Sequence, residues 1–299
     1  MSLNLISKIV YDKLKQNRES LSESSLKTYT SILMNLHKRV FGDPVKLPNF
    51  NKVAIIQEDL KDIPVNKRKT ILSALYVLTG KEAYKGEMMN DIKDYNKEIN
   101  TQEKSQTQKE NWATGDEIDE VMKTTKHKAM VGYKMLKSGE NMKALQDIQD
   151  YIILCLLGGK YINPRRSKDY VDFKIKEIGE HDNYLKGKKL YFKSYKGSKS
   201  KGVQVIDIPN ELKRILTRWI KANPTDFLLF DGKKGRLSNV KLNQRLNKIF
   251  GRKIAINALR HTFLTEKHGE TMDKYNELMD DLKDMGSSIL QAKTYIKKD

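Results

Sequence analysis

One apolar run near the middle of the chain constrains the fold more than any other feature. The segment LQDIQDYIILCLLGG spans residues 145–159, and its second half is apolar on nearly every side. A helix without a polar face must be surrounded by other elements, so this run predicts a buried central helix. Gly158 and Gly159 are expected to end it, because glycine readily closes a helix. Cys155 lies inside the run and is expected to be a buried, inert thiol.

The first hundred residues carry helical patterns. Between residues 22 and 41, apolar side chains recur at helical spacing, which predicts an amphipathic helix. The serine cluster at Ser22, Ser24 and Ser25 supplies its N-cap. Another helix is expected after Pro64, ending at Gly80. These patterns predict a small helical domain over residues 1–100.

A polar segment separates this domain from the rest of the chain. Residues 100–111, NTQEKSQTQKEN, contain no apolar side chain and show no periodicity. Such a composition is typical of a linker, which we place at residues 101–111. A second domain is then expected over residues 112–299.

The second domain changes from helical to strand periodicity and back. The segments KKLYFKSYKG and KGVQVIDIP flank a tip rich in Lys, Ser and Gly, which predicts a β-hairpin extended by VDFKIKEI before it. Helices are expected to resume at NELKRILTRWIKA, with Asn210 as the cap, and at SNVKLNQRLNKIF. The predicted fold class is mainly α with a small antiparallel β-sheet.

The charge of the chain favours a nucleic-acid partner. The formal net charge is +19, an excess that is hard to explain by solubility alone, although a lysine-rich proteome is the alternative explanation. A single cysteine excludes a disulfide framework and a cysteine-based metal site. The chain has no apolar run of membrane-spanning length and no secretory signal at its start, so we expect a soluble intracellular protein without a membrane partner.

The segment 257-NALRHTFLTE-266 places Arg260 and His261 between Leu259 and Phe263, two apolar residues at helical spacing. The arginine is either solvated on a partly exposed helix or directed into a cleft, where it holds a phosphate. Three further segments bear on this choice, namely 163-NPRRSKDY-170, 195-YKGSKSKG-202 and 285-MGSSILQAKTYIKKD-299.

Arg, Lys, Arg and Tyr in this order suit the cleavage of DNA by a tyrosine hydroxyl. Two guanidiniums would hold the non-bridging phosphate oxygens, where charge develops in the transition state. A lysine would protonate the leaving 5′ oxygen. The arginines would supply the positive charge that a metal ion otherwise brings, so no metal or other cofactor is expected.

These segments resemble those of the tyrosine recombinases, the phage-integrase family, which share a catalytic core with type IB topoisomerases. LRHTF resembles the second-arginine box of that family. PRRSKDY and YKGSKSKGVQVIDIP are most similar to integrase-like proteins of giant viruses and virophages. The resemblance covers the whole chain and implies a two-domain tyrosine recombinase architecture, with a helical core-binding domain and an α+β catalytic domain.

The resemblance also implies partners and a setting. The partner would be double-stranded DNA. The protein would form a homotetramer on two DNA sites, and a monomer is the alternative state off DNA. A virus-encoded enzyme that acts on DNA in the host cell fits this description.

The resemblance carries roles onto particular residues. Arg165 takes the place of the first family arginine, with Arg166 as the alternative, and Arg260 takes the place of the second. Tyr295 takes the place of the nucleophile.

The hairpin lysine of the family falls on Lys196, with Lys199 and Lys201 as alternatives because the register of a flexible tip is poorly fixed. The remaining positive and imidazole side chains near these segments are expected to contact DNA: Arg166, Lys199, Lys201 and His261.

Two positions depart from the family pattern. Asn257 stands where the family usually has His or Lys, and it is also expected to be the N-cap of the LRHTF helix. Ser287 stands at or next to the position where His or Trp is usual. Neither side chain is a useful proton acceptor near neutral pH. The sequence therefore predicts a site-specific recombinase or integrase, with a type IB topoisomerase or a catalytically degenerate, sequence-specific DNA-binding protein as alternatives.

Overall fold

The computed structural model describes residues 5–296, and for Lys293, Thr294 and Tyr295 it describes the backbone alone. The chain divides into two compact units, Met1–Glu103 and Lys104–Asp299. Each unit has a hydrophobic core of its own.

The first unit is helical throughout its described part. Its five α-helices are α1 (Leu5–Asn17), α2 (Glu23–Phe41), α3 (Val53–Leu60), α4 (Val65–Thr79) and α5 (Glu82–Asn100), with a 3₁₀ turn at Leu47–Asn51. The predicted ends of α2 and α4 are confirmed. The Ser22 hydroxyl caps α2 by accepting from the Ser25 N–H, and Gly80 ends α4 in the left-handed conformation at φ 68°.

Two buried polar contacts hold the helices of this unit together. The Arg68 guanidinium on α4 binds the carboxylate of Asp91 on α5 through two nitrogens, and Asp91 is 1% exposed. The Tyr84 hydroxyl donates to the Phe50 carbonyl at 2.8 Å. Because both contacts are enclosed, they fix how α4, α5 and the 3₁₀ turn pack around the core.

The second unit combines helices with one small sheet. Its helices are α6 (Gln106–Glu110), α7 (Gly115–Met135), α8 (Met142–Leu157), α9 (Ser167–Val171), α10 (Ser198–Lys201), α11 (Asn210–Ala222), α12 (Asn239–Phe250), α13 (Ile256–Asp284) and α14 (Ile289–Tyr295), with a 3₁₀ turn at Leu136–Ser138. Its strands are β1 (Phe173–Lys174), β2 (Asn183–Lys186), β3 (Lys189–Phe192) and β4 (Gln204–Asp207).

The predicted central helix is confirmed as α8, which is buried from Ile152 to Leu157 without interruption. Helix α7 lies close along it, since a Cβ on Gly132 would stand 2.9 Å from the Ala144 carbonyl oxygen. The helix ends at Gly158, as predicted, and the residue that takes the left-handed conformation is Gly159, at φ 83°. Cys155 is buried as predicted, and burial raises the pKa of its thiol to about 12.

The sheet has the order β1-β2-β3-β4 and is mixed. The predicted hairpin is confirmed as β3 and β4, paired antiparallel from Lys189–Asp207 to Phe192–Gln204. The expected antiparallel pairing is found for β2 with β3 and for β3 with β4, but not for β1, which pairs with β2 in the parallel direction. The sequence patterns also missed β2, and the hairpin tip contains the short helix α10. The predicted class, mainly α with a small sheet, is confirmed in this mixed form.

Two predicted helix caps are wrong. Asn210 is the first residue of α11, whose N-cap is Pro209. Asn257 lies in the first turn of α13, whose N-cap is Ala255. The first N–H of α13, that of Ile256, instead donates to a side chain of another helix. Its acceptor is Asn243 Oδ1 on α12, at 3.2 Å.

The polar segment at residues 100–111 is not wholly irregular. Helix α5 reaches Asn100, and Ser105 begins α6 with a capping box completed by Gln108. Among residues 5–296, no helix is both long and apolar enough to cross a membrane.

Candidate active site

Arg260 lies on α13 at the edge of the face that packs on the core. Leu259 and Thr262 are buried on either side of it, and Arg260 itself is partly buried. Its Nε donates to the Pro164 carbonyl oxygen at 3.3 Å. This contact places Arg260 against the segment that links α8 to α9, where the other two candidate arginines lie.

Arg165, Arg166 and Arg260 form what we call the arginine cluster, with Asp169 as its carboxylate. Asp169 is 3% exposed, so burial raises its pKa, and the charges of all three arginines oppose that shift. Burial lowers the pKa of Arg260, and the positive charge of Arg166 acts in the same direction more strongly than that of Arg165. The cluster therefore concentrates positive charge around Arg260 and Arg166.

Arg165 is enclosed by the protein. Its Nε donates to Asp169 Oδ2 at 2.7 Å, and its Nη1 donates to Gln204 Oε1 at 2.8 Å. Its guanidinium carbon lies 4.0 Å from the centre of the Phe192 ring and 5.2 Å from that of Tyr195. Its side chain is 15% exposed. Arg165 thus joins α9 to both strands of the hairpin.

Arg166 faces solvent. Its backbone forms the N-cap of α9, and its side chain makes no hydrogen bond or ion pair with any residue in the described part of the chain. Asp169 Oδ1 is buried and has no hydrogen-bond partner among the described residues. Of the two adjacent arginines, Arg166 is the one whose whole guanidinium is without a protein partner among the described residues.

Asn183 fixes the base of the hairpin tip. This residue is fully buried, and its Oδ1 accepts from the Lys193 and Ser194 N–H groups, both at 2.8 Å. Its Nδ2 donates to the carbonyls of Ser194 and Asp169. Asn183 therefore ties the backbone that leads to the tip to the backbone of α9.

The candidate lysines all lie in the hairpin tip and are exposed. Lys196 follows Tyr195 directly, and Gly197 then turns the chain with a φ of 98°. Lys199 and Lys201 belong to α10. The Tyr195 hydroxyl donates to the Gly202 carbonyl at 2.8 Å and closes the tip. Lys196 is thus the candidate that is adjacent in sequence to a residue in contact with Arg165.

The two positions that depart from the family pattern are not hydrogen-bonded to the arginine cluster within residues 5–296. Asn257 is exposed one turn before Arg260. The Ser287 hydroxyl donates to Gln291 Oε1 at 3.1 Å in the turn between α13 and α14. His261 is exposed, with its ring 6.4 Å from that of Trp112.

Tyr295 is the last residue of α14, which Ser288 and Gln291 cap at its start. The position of its side chain, and therefore its distance from the arginine cluster, lies outside the described residues. Within the described part of the chain, no group of three or more His, Cys, Asp or Glu side chains is placed to hold a metal ion.

Three side chains that build this site were not predicted from the sequence. Asp169 follows Arg165 by four residues, a spacing at which opposite charges pair on a helix, so a signal was present. Gln204 and Asn183 carry no such local signal, because their roles depend on the pairing of distant strands.

Comparison with models of known protein families finds no match. A search of curated proteins also finds no match. Among solved structures, the chain is similar to a lambda integrase (75–356) dimer bound to a COC′ core site, with 14% identity and a TM-score of 0.41 over 92% of this chain and 93% of that one. It is also similar to another lambda integrase dimer bound to a COC′ core site, with 15% identity and a TM-score of 0.41 over 92% of this chain and 73% of that one. Both identities and both TM-scores are low.

Proposed function

We propose that this protein is a site-specific DNA recombinase that cleaves and rejoins double-stranded DNA through a 3′-phosphotyrosine intermediate without a metal ion. The observation that carries this proposal is the arginine cluster, in which burial and the charge of exposed Arg166 lower the pKa of Arg260. Positive charges that act on each other in this way repel, and an anion bound between them removes the repulsion. The buried Asp169 carboxylate acts on the pKa of Arg260 in the opposite direction, but it faces three arginines. A phosphodiester supplies the missing negative charge.

Arg166 suits the phosphate better than Arg165 does. Arg165 already donates to Asp169 and Gln204 and is stacked on aromatic rings, whereas the Arg166 side chain faces solvent. An arginine fork that contacts two phosphate oxygens must be free to do so. We therefore assign the first phosphate-binding role to Arg166 and the second to Arg260.

The reaction that we propose divides the remaining roles between the hairpin and α14. The Tyr295 hydroxyl loses its proton to water, and its oxygen attacks the phosphorus and forms a P–O bond while the bond from phosphorus to the 5′ oxygen breaks. Lys196 donates a proton to that oxygen, which leaves as a 5′-hydroxyl. Attack by the 5′-hydroxyl of a partner strand reverses these steps and completes the exchange.

The two units would divide the work of binding and catalysis. We assign DNA binding to residues 1–100, a linker role to residues 101–111 and catalysis to residues 112–299. On paired DNA sites we expect a homotetramer, since two duplexes offer four strands to be cleaved. The net charge of +19 supports DNA as the partner.

A DNA-binding protein without activity is the second candidate. It is favoured by one observation, the absence of a general base at Asn257 and Ser287, since neither an amide nor a hydroxyl accepts a proton near neutral pH. Both candidates bind DNA, so only an assay of cleavage distinguishes them.

The test uses a duplex that the protein itself selects from a random library. A nick close to the cleavage position lets the released strand diffuse away, which traps the covalent complex. We expect wild-type protein to form this complex in the presence of EDTA. Arg260→Ala should slow its formation by roughly 10² or more, as the loss of a transition-state charge partner does. Arg260→Lys should restore little, because a point charge cannot replace a planar fork.

Arg214→Ala is the matched control, because Arg214 is an exposed arginine on α11 outside the cluster. It should cleave like the wild type. A trapped complex that requires a metal ion, or an Arg260→Lys variant with full activity, would refute the proposed mechanism. A wild-type protein that binds the duplex and never cleaves it would establish the second candidate.

A further inference from the structure

The side chain of Arg165 lies beside the last pair of residues in the hairpin before its tip. Phe192 on β3 and Gln204 on β4 are partners there, and the tip begins beyond them. Arg165 contacts both partners, the first through its ring at 4.0 Å and the second through a hydrogen bond of 2.8 Å. Both strands are therefore held at the point where the tip leaves the sheet.

Arg165 also contacts Tyr195, a residue within the tip. Its guanidinium carbon lies 5.2 Å from the centre of the Tyr195 ring, and the Tyr195 hydroxyl binds the Gly202 carbonyl at the far end of the tip. The residue after Tyr195 is Lys196. The Nε of Arg165 is anchored on Asp169, the carboxylate of the arginine cluster. One planar side chain thus connects the cluster to the segment that carries the lysines.

These contacts need the shape of arginine as well as its charge. A guanidinium can donate in two directions in its plane while its faces stack on aromatic rings. A lysine ammonium retains the charge but cannot make the two separate in-plane contacts together with the stacking. Replacing Arg165 by Lys should therefore loosen the tip without leaving Asp169 unpaired.

We propose that Arg165 is a positioning residue, which holds the hairpin tip so that a tip lysine can protonate the leaving 5′ oxygen of DNA bound at Arg166 and Arg260. This inference rests on the proposed recombinase function. Arg165 would not touch the phosphate. Its loss would impair proton donation by the lysine and leave the stabilisation of the phosphate charge unchanged.

A substrate with sulfur in place of the leaving 5′ oxygen separates these two effects. In normal cleavage, the tyrosine oxygen bonds to phosphorus, the P–O bond breaks, and the lysine proton passes to the 5′ oxygen. With the sulfur substrate, the P–S bond breaks and a thiolate departs. The thiolate needs no proton to leave, because a thiol is far more acidic than an alcohol. A variant that is impaired only in proton donation should therefore cleave the sulfur substrate at the wild-type rate.

The experiment measures single-turnover cleavage of both substrates by the full chain. Arg165→Lys and Gln204→Leu should each cleave the oxygen substrate roughly 10- to 100-fold more slowly than the wild type, part of the ~10²–10⁴ that a positioned general acid contributes. Both should cleave the sulfur substrate within about threefold of the wild type, because no proton is required there. Lys196→Met should show the same recovery with a larger initial loss, and Lys199→Met and Lys201→Met are measured beside it.

Arg260→Ala is the opposite control and should stay slow on both substrates, since it removes charge stabilisation. Equal slowing of Arg165→Lys on both substrates would show that Arg165 contacts the phosphate, which overturns the proposal. Normal rates on both substrates for Arg165→Lys and Gln204→Leu would also overturn it. If Arg165→Lys does not fold, as judged by circular dichroism, Gln204→Leu decides alone. Wild-type protein that cleaves neither substrate would refute the recombinase function itself, a result distinct from either failure of Arg165.

Discussion

Arg165 and Arg166 are identical neighbours in the sequence with different surroundings in the fold. Arg165 is surrounded by Asp169, Gln204 and aromatic rings, while Arg166 remains exposed. The sequence could not distinguish them, because both are arginines in the same motif. The contacts that the sequence could not show come from distant strands, with Phe192 and Gln204 lying 27 and 39 residues further along the chain. The preference for Arg166 is therefore a product of the tertiary structure.

A titration prediction also belongs to the residue scale. The Cys155 thiol is buried on α8, and its pKa is raised to about 12, whereas an exposed thiol has a pKa of about 8.5. Between these values the unfolded chain has lost the proton that the folded chain retains, so the free energy of unfolding must fall as pH rises. The contribution of the Cys155 thiol to the free energy of unfolding is fully present below pH ~8.5.

Cys155→Ala should remove this effect. Between pH ~8.5 and ~10, before the tyrosines of the unfolded chain ionise, the free energy of unfolding should fall with pH less steeply in the variant, by up to ~1.4 kcal/mol per pH unit. Urea unfolding at several pH values measures the slope. The absolute stability of the variant should also be lower, because of the cavity left in the core. An unchanged slope would contradict the assignment of the shift to Cys155.

Elements with a strong local signal could be predicted from the sequence, and elements that depend on distant partners could not. Helix α8 followed from its apolar run, and α2 and α4 followed from their periodicity, caps and terminal glycine. Strand β2 was missed because it is four residues long, and its buried Asn183 does not resemble a core residue.

The start of α13 was misjudged for the same reason. Its cap comes from Asn243 on another helix, so the sequence around Asn257 held no information about it. The candidate site follows the same division, since its arginines and lysines were proposed from motifs and Asp169 had a local signal in its spacing from Arg165, while Gln204 and Asn183 had none.

The stability of the hairpin should depend on Asn183. Asn183→Ala removes four hydrogen bonds and leaves buried backbone groups without partners. Each such group costs about 1–3 kcal/mol, so we expect a loss of at least ~2 kcal/mol in the free energy of unfolding. Urea denaturation measures it.

Asn257→Ala is the control for Asn183→Ala, since it is the same substitution at an exposed position that does not cap α13. Its effect should stay within ~0.5 kcal/mol. Similar losses in both variants would mean that the Asn183 network does not stabilise the tip.

At the scale of the whole molecule, the excess of positive charge should govern the affinity for DNA that we propose. The chain carries 57 Lys and Arg residues against 38 Asp and Glu residues. If roughly six phosphates are neutralised on binding, the logarithm of the association constant should fall with the logarithm of salt concentration with a slope of about −5. Fluorescence anisotropy with a labelled duplex at several salt concentrations measures this slope. A slope near zero would exclude a polyanion as the partner.

The central claim is that a tyrosine of this chain becomes covalently joined to DNA. Its most direct test is mass spectrometry of the peptide trapped on the nicked duplex. We predict a nucleotide on Tyr295, and we predict that Tyr295→Phe abolishes the adduct while leaving affinity for DNA nearly unchanged, because it removes only the attacking oxygen. Tyr275, which is 44% exposed on α13, is the alternative acceptor. A nucleotide on Tyr275, or on no tyrosine, would contradict the account.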